Sequence, residues 1–274
     1  MRFHDGETGV TMHNLYPVLY ARATHQGLAR YARAYPRRAR AFFFMRAGYS
    51  SLPGSAAYDG GNWGGDETTD WGHASGLQAQ TSEMLGAAIG GAYGFGTDIG
   101  GYADYNTPPT TKELFLRWAE WAALTPVFRL HGAGRTGTHT PWSFDPQTVR
   151  IYNSLSRLHL AAAPLIMRLW RTADRTGMPI TRPLWLAYPN DPRAVAQDQE
   201  WLLGPDVLVA PVVTEGATAR QVYFPPGCWR MPGGAAAPAG ARRYRGPLEA
   251  TVQAPLAKLP YFFRCATTPF RPPR

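Results

Sequence analysis

One acid stands beside an indole on a glycine-rich turn in the stretch Asn62-Trp63-Gly64-Gly65-Asp66. Glycines at such positions let the backbone bend and approach a ligand that a side chain would obstruct. The indole offers a flat apolar face against which a sugar ring can pack. A carboxyl in that setting is expected to lose hydration, which raises its pKa and suits it to general acid chemistry. The same residues also read as a surface turn with a capping Asp. Two further polar residues end short apolar stretches: Arg46 closes Ala41-Phe42-Phe43-Phe44-Met45, and Asp98 follows Ala92-Tyr93-Gly94-Phe95-Gly96. A cation or an acid at the tip of a buried strand is a better functional candidate than one on a helix face.

These residues need elements to position them. Helix-forming residues over 16–40 are closed by Pro36, and the apolar run at 41–45 predicts a strand buried on both faces. A small-residue helix is predicted over 74–90. The segment Thr110–Leu124 predicts a helix with Leu114, Trp118, Trp121 and Ala122 on one face. Thr110 or Thr111 would cap it, with Glu113 in its first turn. A long amphipathic helix follows from about Pro146 to Thr176. Parallel strands are thus predicted near 41–46, 61–64, 92–97 and 179–186. Strand, polar loop and helix repeated in this way is the pattern of an α/β barrel, whose functional groups sit on loops at the C-terminal ends of strands. Arg46, Asp66 and Asp98 all fall at such ends. Past Tyr188 the helical periodicity stops. Leu202–Pro211 and Gln221–Gly227 read as short strands of a small all-β domain, and 231–241 as a Gly/Ala/Pro-rich loop.

Composition narrows the function classes. The 274 residues are 45% hydrophobic and 17% charged, which predicts a globular chain with a sizeable core. Nine Trp, fourteen Tyr and twelve Phe exceed what that core needs, so some are free to line a pocket. The net charge of +9 is almost all arginine, Lys112 and Lys258 being the only lysines. Apart from Arg30, Arg33, Arg37, Arg38 and Arg40 the basic residues are scattered, which argues against nucleic acid as a partner. Cys228 and Cys265 show neither metal spacing nor a disulfide framework. The seven histidines lack ligand spacing too, so neither metal nor cofactor is expected. With no signal peptide and no apolar run of membrane-spanning length, the chain reads as cytoplasmic and free of membrane.

The ordered set Phe44-Met45-Arg46-Ala47-Gly48, Trp63-Gly64-Gly65-Asp66, Asp98-Ile99-Gly100-Gly101-Tyr102, Glu113–Trp118, Phe128-Arg129-Leu130-His131-Gly132, Arg182-Pro183-Leu184, Leu203–Pro211 and Val252–Arg264 resembles glycoside hydrolase family 31. The resemblance covers essentially the whole chain. It implies the C-terminal half of a (β/α)8 TIM barrel over 1–188, followed by a β-sandwich domain over 189–274. It also implies a retaining α-glycosidase acting on an oligosaccharide or α-glycoside. By motif, Asp66 resembles the general acid/base, Trp63 a wall of the sugar subsite, and Arg46 the arginine that orients the carboxylates. Asp98 and His131 resemble residues that hydrogen-bond sugar hydroxyls, and Tyr102 an aromatic facing the sugar.

Retaining chemistry needs a second carboxylate about 5–5.5 Å from the acid/base. In the family it lies just upstream of a segment resembling Phe3–Gly9, so the nucleophile is expected to precede Met1. Asp5 and Glu7 read as loop residues. The chain is thus expected to be a portion holding half an active site, with unpaired strand edges that favour self-association. Three alternatives stand beside α-glucoside hydrolysis. They are an α-transglycosylase, a sulfoquinovosidase (suggested by Tyr102 with Thr69-Asp70-Trp71), and a carbohydrate-binding relic without turnover.

Overall fold

A computed structural model of the chain describes residues 2–38, 42–48, 57–58, 60–104, 107–133, 139–232 and 243–273. Arg40, Ala41, most of the loop after Gly48 and most of the 231–241 loop lie outside them.

The first part alternates short parallel segments with helices. After a one-turn helix α1 (Gly9–Met12), α2 (Leu15–Ala34) stops at Tyr35, one residue before Pro36. Four segments then lie side by side in chain order. Met45 bridges Asn62, Trp63 bridges Gly96, and Asp98 bridges Arg129, all in parallel. The expected strands near 41–46, 61–64 and 92–97 therefore exist as parallel pairings, but as single bridges instead of extended ladders. The fourth member, around Arg129, was not anticipated as a strand. A Cβ on Gly61 would lie 2.0 Å from the Gly94 carbonyl oxygen, so only glycine fits there.

Helices fill the intervals. α3 (Ala79–Ile89) joins the second segment to the third, and α4 (Lys112–Ala122) the third to the fourth. Thr111 caps α4 by accepting from the Leu114 N–H at 3.2 Å, and Leu114 through Ala122 are all buried. Both of its indoles are paired: Trp118 Nε1 donates to Thr97 Oγ1 at 2.7 Å and Trp121 Nε1 to Thr81 Oγ1 at 2.9 Å. α5 (Pro146–Thr176) begins at the capping Asp145 and ends at Gly177, whose φ of 73° is the left-handed conformation that glycine supplies at helix ends.

The expected parallel strand over 179–186 is corrected. Residues Thr181–Pro183 form β1, which pairs antiparallel with β2 (Trp201–Leu203), and Leu184–Ala187 turn into the short helix α6. Pro183 has no N–H to continue a ladder, and it lies at the strand's last position. A second short helix, α7 (Pro192–Val195), precedes β2. The remaining strands are β3 (Val207–Val209), β4 (Ala219–Arg230), β5 (Arg243–Gln253) and β6 (Tyr261–Arg264). They form a six-stranded antiparallel sheet in the order β1-β2-β3-β6-β4-β5.

Alternation along β2, β3 and β6 serves two cores. Trp201, Leu203, Val207, Val209 and Phe263 face the barrel helices, while Leu202, Leu208 and Phe262 face a second core. β4 meets β6 only at Trp229 and Arg230, and its register with β5 shifts between Phe224 and Gly227. The far end of the β4–β5 hairpin thus folds over the second core, bringing in Val222, Phe224 and Val252. That closure makes a small sandwich. Cys228 and Cys265, in which the sequence showed no disulfide framework, are joined by a disulfide. The sequence hid this because the partners stand 37 residues apart and meet only through the β4–β6 pairing.

Candidate active site

The C-terminal ends of the four parallel segments carry the candidate residues. Arg46 Nη1 lies 3.1 Å from Asp66 Oδ1, with both side chains about half exposed, at 57% and 45%. The dehydration expected of Asp66 is therefore not present in this chain: its carboxyl faces solvent beside a guanidinium. Gly65, at φ 104°, shapes the turn between them, and a Cβ there would sit 3.2 Å from Arg46 Nε. The Trp63 indole donates from Nε1 to the Gly65 carbonyl at 3.1 Å, which fixes the ring beside the acid.

Asp98 is fully buried, with Arg129 Nη2 at 2.5 Å from its Oδ1. The Arg129 guanidinium also stacks 4.7 Å from the Trp63 ring centre and 5.0 Å from that of Phe44. Arg129 therefore both braces the Trp63 and Phe44 rings and pairs with a buried carboxylate. Burial pushes the Asp98 carboxyl above the ordinary range, against the pull of Arg129 and His131. His131 is exposed, and its ring lies 5.0 Å from that of the half-buried Tyr102. Asp98 also feels the charges of both Asp66 and His131. Arg46, Trp63, Asp66, Asp98, Tyr102 and His131 thus gather at one end of the barrel segments.

A second tier of backbone bonds ties the loops together. The Glu67 carbonyl accepts from the N–H groups of Tyr102 (2.8 Å) and Ala103 (3.0 Å), and the Tyr102 carbonyl accepts from Ala133 N–H at 2.8 Å. Glu67 itself was missed by sequence reasoning. An acid following an acid on a turn carries no signal of burial, yet Glu67 is 1% exposed. Burial, with Asp98 and Glu83 nearby, pushes its carboxyl up to about 9.

Two clefts lie elsewhere. One, of about 750 Å³, runs between α2 and Phe42, and another, of about 540 Å³, lies between Val127 and Trp170. Both sit toward the opposite ends of the parallel segments and lack the candidate groups. The candidate groups lie instead on the open face carrying Asp66. Among the described residues, no three His, Cys, Asp or Glu side chains are grouped to hold a metal.

Comparison with known proteins matches both parts of the chain. Residues 2–169 match the glycosyl hydrolases family 31 TIM-barrel domain, and residues 177–267 match the family 31 C-terminal domain. The sulfoquinovosidase of Escherichia coli is 32% identical over 261 residues, which is 95% of this chain and 36% of that protein. Alpha-glucosidase 2 of Bacillus thermoamyloliquefaciens is 34% identical over 225 residues, covering 82% of this chain and 27% of that protein. Among solved structures, a sulfoquinovosidase from E. rectale in complex with an aza-sugar inhibitor superposes with a TM-score of 0.84 at 29% identity. That match covers 97% of this chain and 38% of the other. The chain spans little more than a third of the length of these sulfoquinovosidases.

Proposed function

Because the chain belongs to glycoside hydrolase family 31, we propose that it carries the acid/base side of a retaining α-glycosidase site. The observation that carries this reading is the Arg46–Asp66 pair at 3.1 Å on the same face as Trp63, Asp98 and His131. Asp66, on an accessible turn, protonates the departing glycosidic oxygen and then takes a proton from the attacking water. Arg46 holds the carboxylate in place. Trp63, braced by Arg129, is the wall for the sugar ring. Tyr102 and His131 form the opposite rim, and Asp98, paired with Arg129, accepts a hydrogen bond from a sugar hydroxyl.

The covalent step needs a nucleophilic carboxylate on the other side of the sugar. Asp5 and Glu7 are engaged in the N-terminal turn, Asp5 accepting from Glu7 N–H at 3.2 Å and Glu7 from Thr11 Oγ1 at 2.6 Å. In this reading the nucleophile comes from polypeptide outside the 274 residues. In a protein joining this chain to that polypeptide, Asp66→Ala lowers hydrolysis of alkyl α-glucosides by roughly 10²–10⁴-fold. Activated aryl α-glucosides lose less in the first step, and azide restores turnover by displacing the enzyme from the β-glycosyl intermediate to give an α-glycosyl azide. Wild-type rates in the variant would remove Asp66 from the role.

A second reading concerns the sugar. The likeness to two sulfoquinovosidases supports a substrate whose C6 carries a sulfonate. Comparing kcat/KM for aryl α-glucoside and aryl α-sulfoquinovoside decides between the two.

A further inference from the structure

Glu67, Glu83 and Gln80 meet in a slot beneath Gly64, and the Asp98 N–H approaches the Glu67 carboxyl. A Cβ on Gly64 would lie 2.4 Å from Glu83 Oε2, 3.2 Å from Glu67 Oε1 and 3.5 Å from Gln80 Oε1, so these three side chains converge beneath the Gly64 backbone. Both Glu67 oxygens, Glu83 Oε2, Gln80 Oε1 and the Asp98 oxygens are buried without a well-aligned protein donor. The N–H groups of Glu67 and Asp98 approach the Glu67 carboxyl closely enough to favour its charged form slightly, and Arg129 ion-pairs with Asp98. A slot lined by acceptors holds together only if one of them carries a proton, because adjacent buried carboxylates cannot all ionise. Glu67, 1% exposed, is flanked by Asp98 and Glu83. It is the group placed to carry that proton.

Resting on the α-glycosidase reading above, we propose that Glu67 is a positioning residue whose buried carboxyl sets the orientation and charge of Asp98 from behind the ligand-facing surface. A neutral Glu67 donates its O–H to the Asp98 carboxylate. Asp98 is then fixed between Glu67 on one side and Arg129 on the other, and remains anionic as an acceptor for a sugar hydroxyl. The backbone of Glu67 reinforces this by holding Tyr102 and Ala103 through its carbonyl. Ionisation of Glu67 would set two buried carboxylates against each other and drive Asp98 out of place. The charged and titratable groups around the slot are Glu83 from α3, Asp66 and Arg46 from the turn in front, and Arg129 and His131 from the fourth segment.

The test uses the 274-residue chain with carboxyl-¹³C-labelled Asp and Glu, and methyl α-D-glucopyranoside, a ligand that does not titrate. In the wild type, one Glu carbon shifts only near pH 9, and the Asp98 carbon shifts with it. In Glu67→Gln, which keeps a neutral donor, the Asp98 carbon no longer senses that step. Glycoside affinity in the wild type falls about tenfold from pH 7 to pH 10, as one proton's loss above pH 9 requires. Glu67→Gln keeps its pH 7 affinity across that range, whereas Glu67→Leu binds weakly at every pH. A residue serving packing alone would leave the alkaline loss in place in the Gln variant. An Asp98 carbon blind to the ionisation of Glu67, or a Glu67 carboxyl already ionised at pH 7, overturns the proposal even if the Gln variant fails to fold. Absence of glycoside binding with the carbon coupling intact instead overturns the glycosidase reading and leaves Glu67 as the residue that sets Asp98.

Discussion

At the scale of the residue, the site combines an accessible acid with a buried one, and their surroundings treat them oppositely. Asp66 is half exposed beside Arg46, whereas Glu67, next in sequence, is sealed against Asp98 and Glu83. This difference has a consequence for stability. The Glu67 carboxyl is pushed from 4.5 up to about 9, so between those values the folded chain holds a proton that the unfolded chain releases. Stability is therefore full below about pH 4.5 as far as this group is concerned. It falls as pH rises toward 9, with a limiting slope of about 1.4 kcal/mol per pH unit for one proton. Glu200, pushed up to about 7 chiefly by burial, adds a contribution of the same sign between 4.5 and 7. Urea unfolding at pH 5, 7 and 9 should show Glu67→Gln matching the wild type at the acid end and exceeding it at pH 9. Parallel curves for the two proteins would mean that Glu67 is ionised throughout.

At the scale of the element, the disulfide is the clearest case of a feature decided by pairing instead of local sequence. Cys228 lies on β4 and Cys265 follows β6, and the Cys265 N–H donates to the Cys228 carbonyl at 2.9 Å, so the strands bring the sulfurs together. A loop of this length closed by a disulfide contributes about 4 kcal/mol in the chain-entropy account. Cys265→Ser should lower unfolding stability by several kcal/mol in oxidising buffer and match the wild type once both are reduced; equality in oxidising buffer would show that the bond does not form. The same contrast explains what could be read beforehand. The long helix from Pro146 to Thr176 was legible to its ends because an Asp cap, a proline in the first turn and a terminal glycine are local signals. Arg46, Asp66 and Asp98 were legible as candidates because each falls near the end of a short barrel segment, and the structure brings all three to one end of those segments. β1 was misassigned because an apolar run does not reveal whether its neighbour will be parallel or antiparallel, and the sheet partner lies beyond α7. Glu67 and the double role of Arg129 stayed hidden because burial of a polar side chain is set by elements distant in sequence, here α3 and the segment at Asp98.

At the scale of the whole molecule, the barrel segments and the sheet domain share a core, and a buried ion pair fastens them. Arg117 and Glu120 on α4 are 1% and 0% exposed and meet at 2.9 Å. Arg117 Nη2 also donates to the carbonyls of Ala217 (2.7 Å) and Ala254 (2.9 Å), while Glu120 Oε1 accepts from the Ala257 N–H at 2.7 Å. Burial pushes the Glu120 carboxyl up and the Arg117 charge pulls it back down. Each charge is thus balanced by the other and by backbone groups of the second domain. Removing one partner leaves a buried charge alone, which typically costs about 3–5 kcal/mol, so Arg117→Ala should lower stability by that order. An isolated buried pair often recovers when both members become apolar. Here recovery should fail. In a protein carrying both Arg117→Met and Glu120→Leu, the carbonyls of Ala217 and Ala254 lose their donor, and an unsatisfied buried polar group costs about 1–3 kcal/mol. Calorimetry should therefore show the wild type melting in one transition and both variants melting lower. In the variants, the indoles of the barrel core (Trp118 and Trp121) should lose their packing apart from the sheet domain's Trp229. A double variant as stable as the wild type, or a single variant that melts unchanged, would show that apolar packing alone joins the two domains.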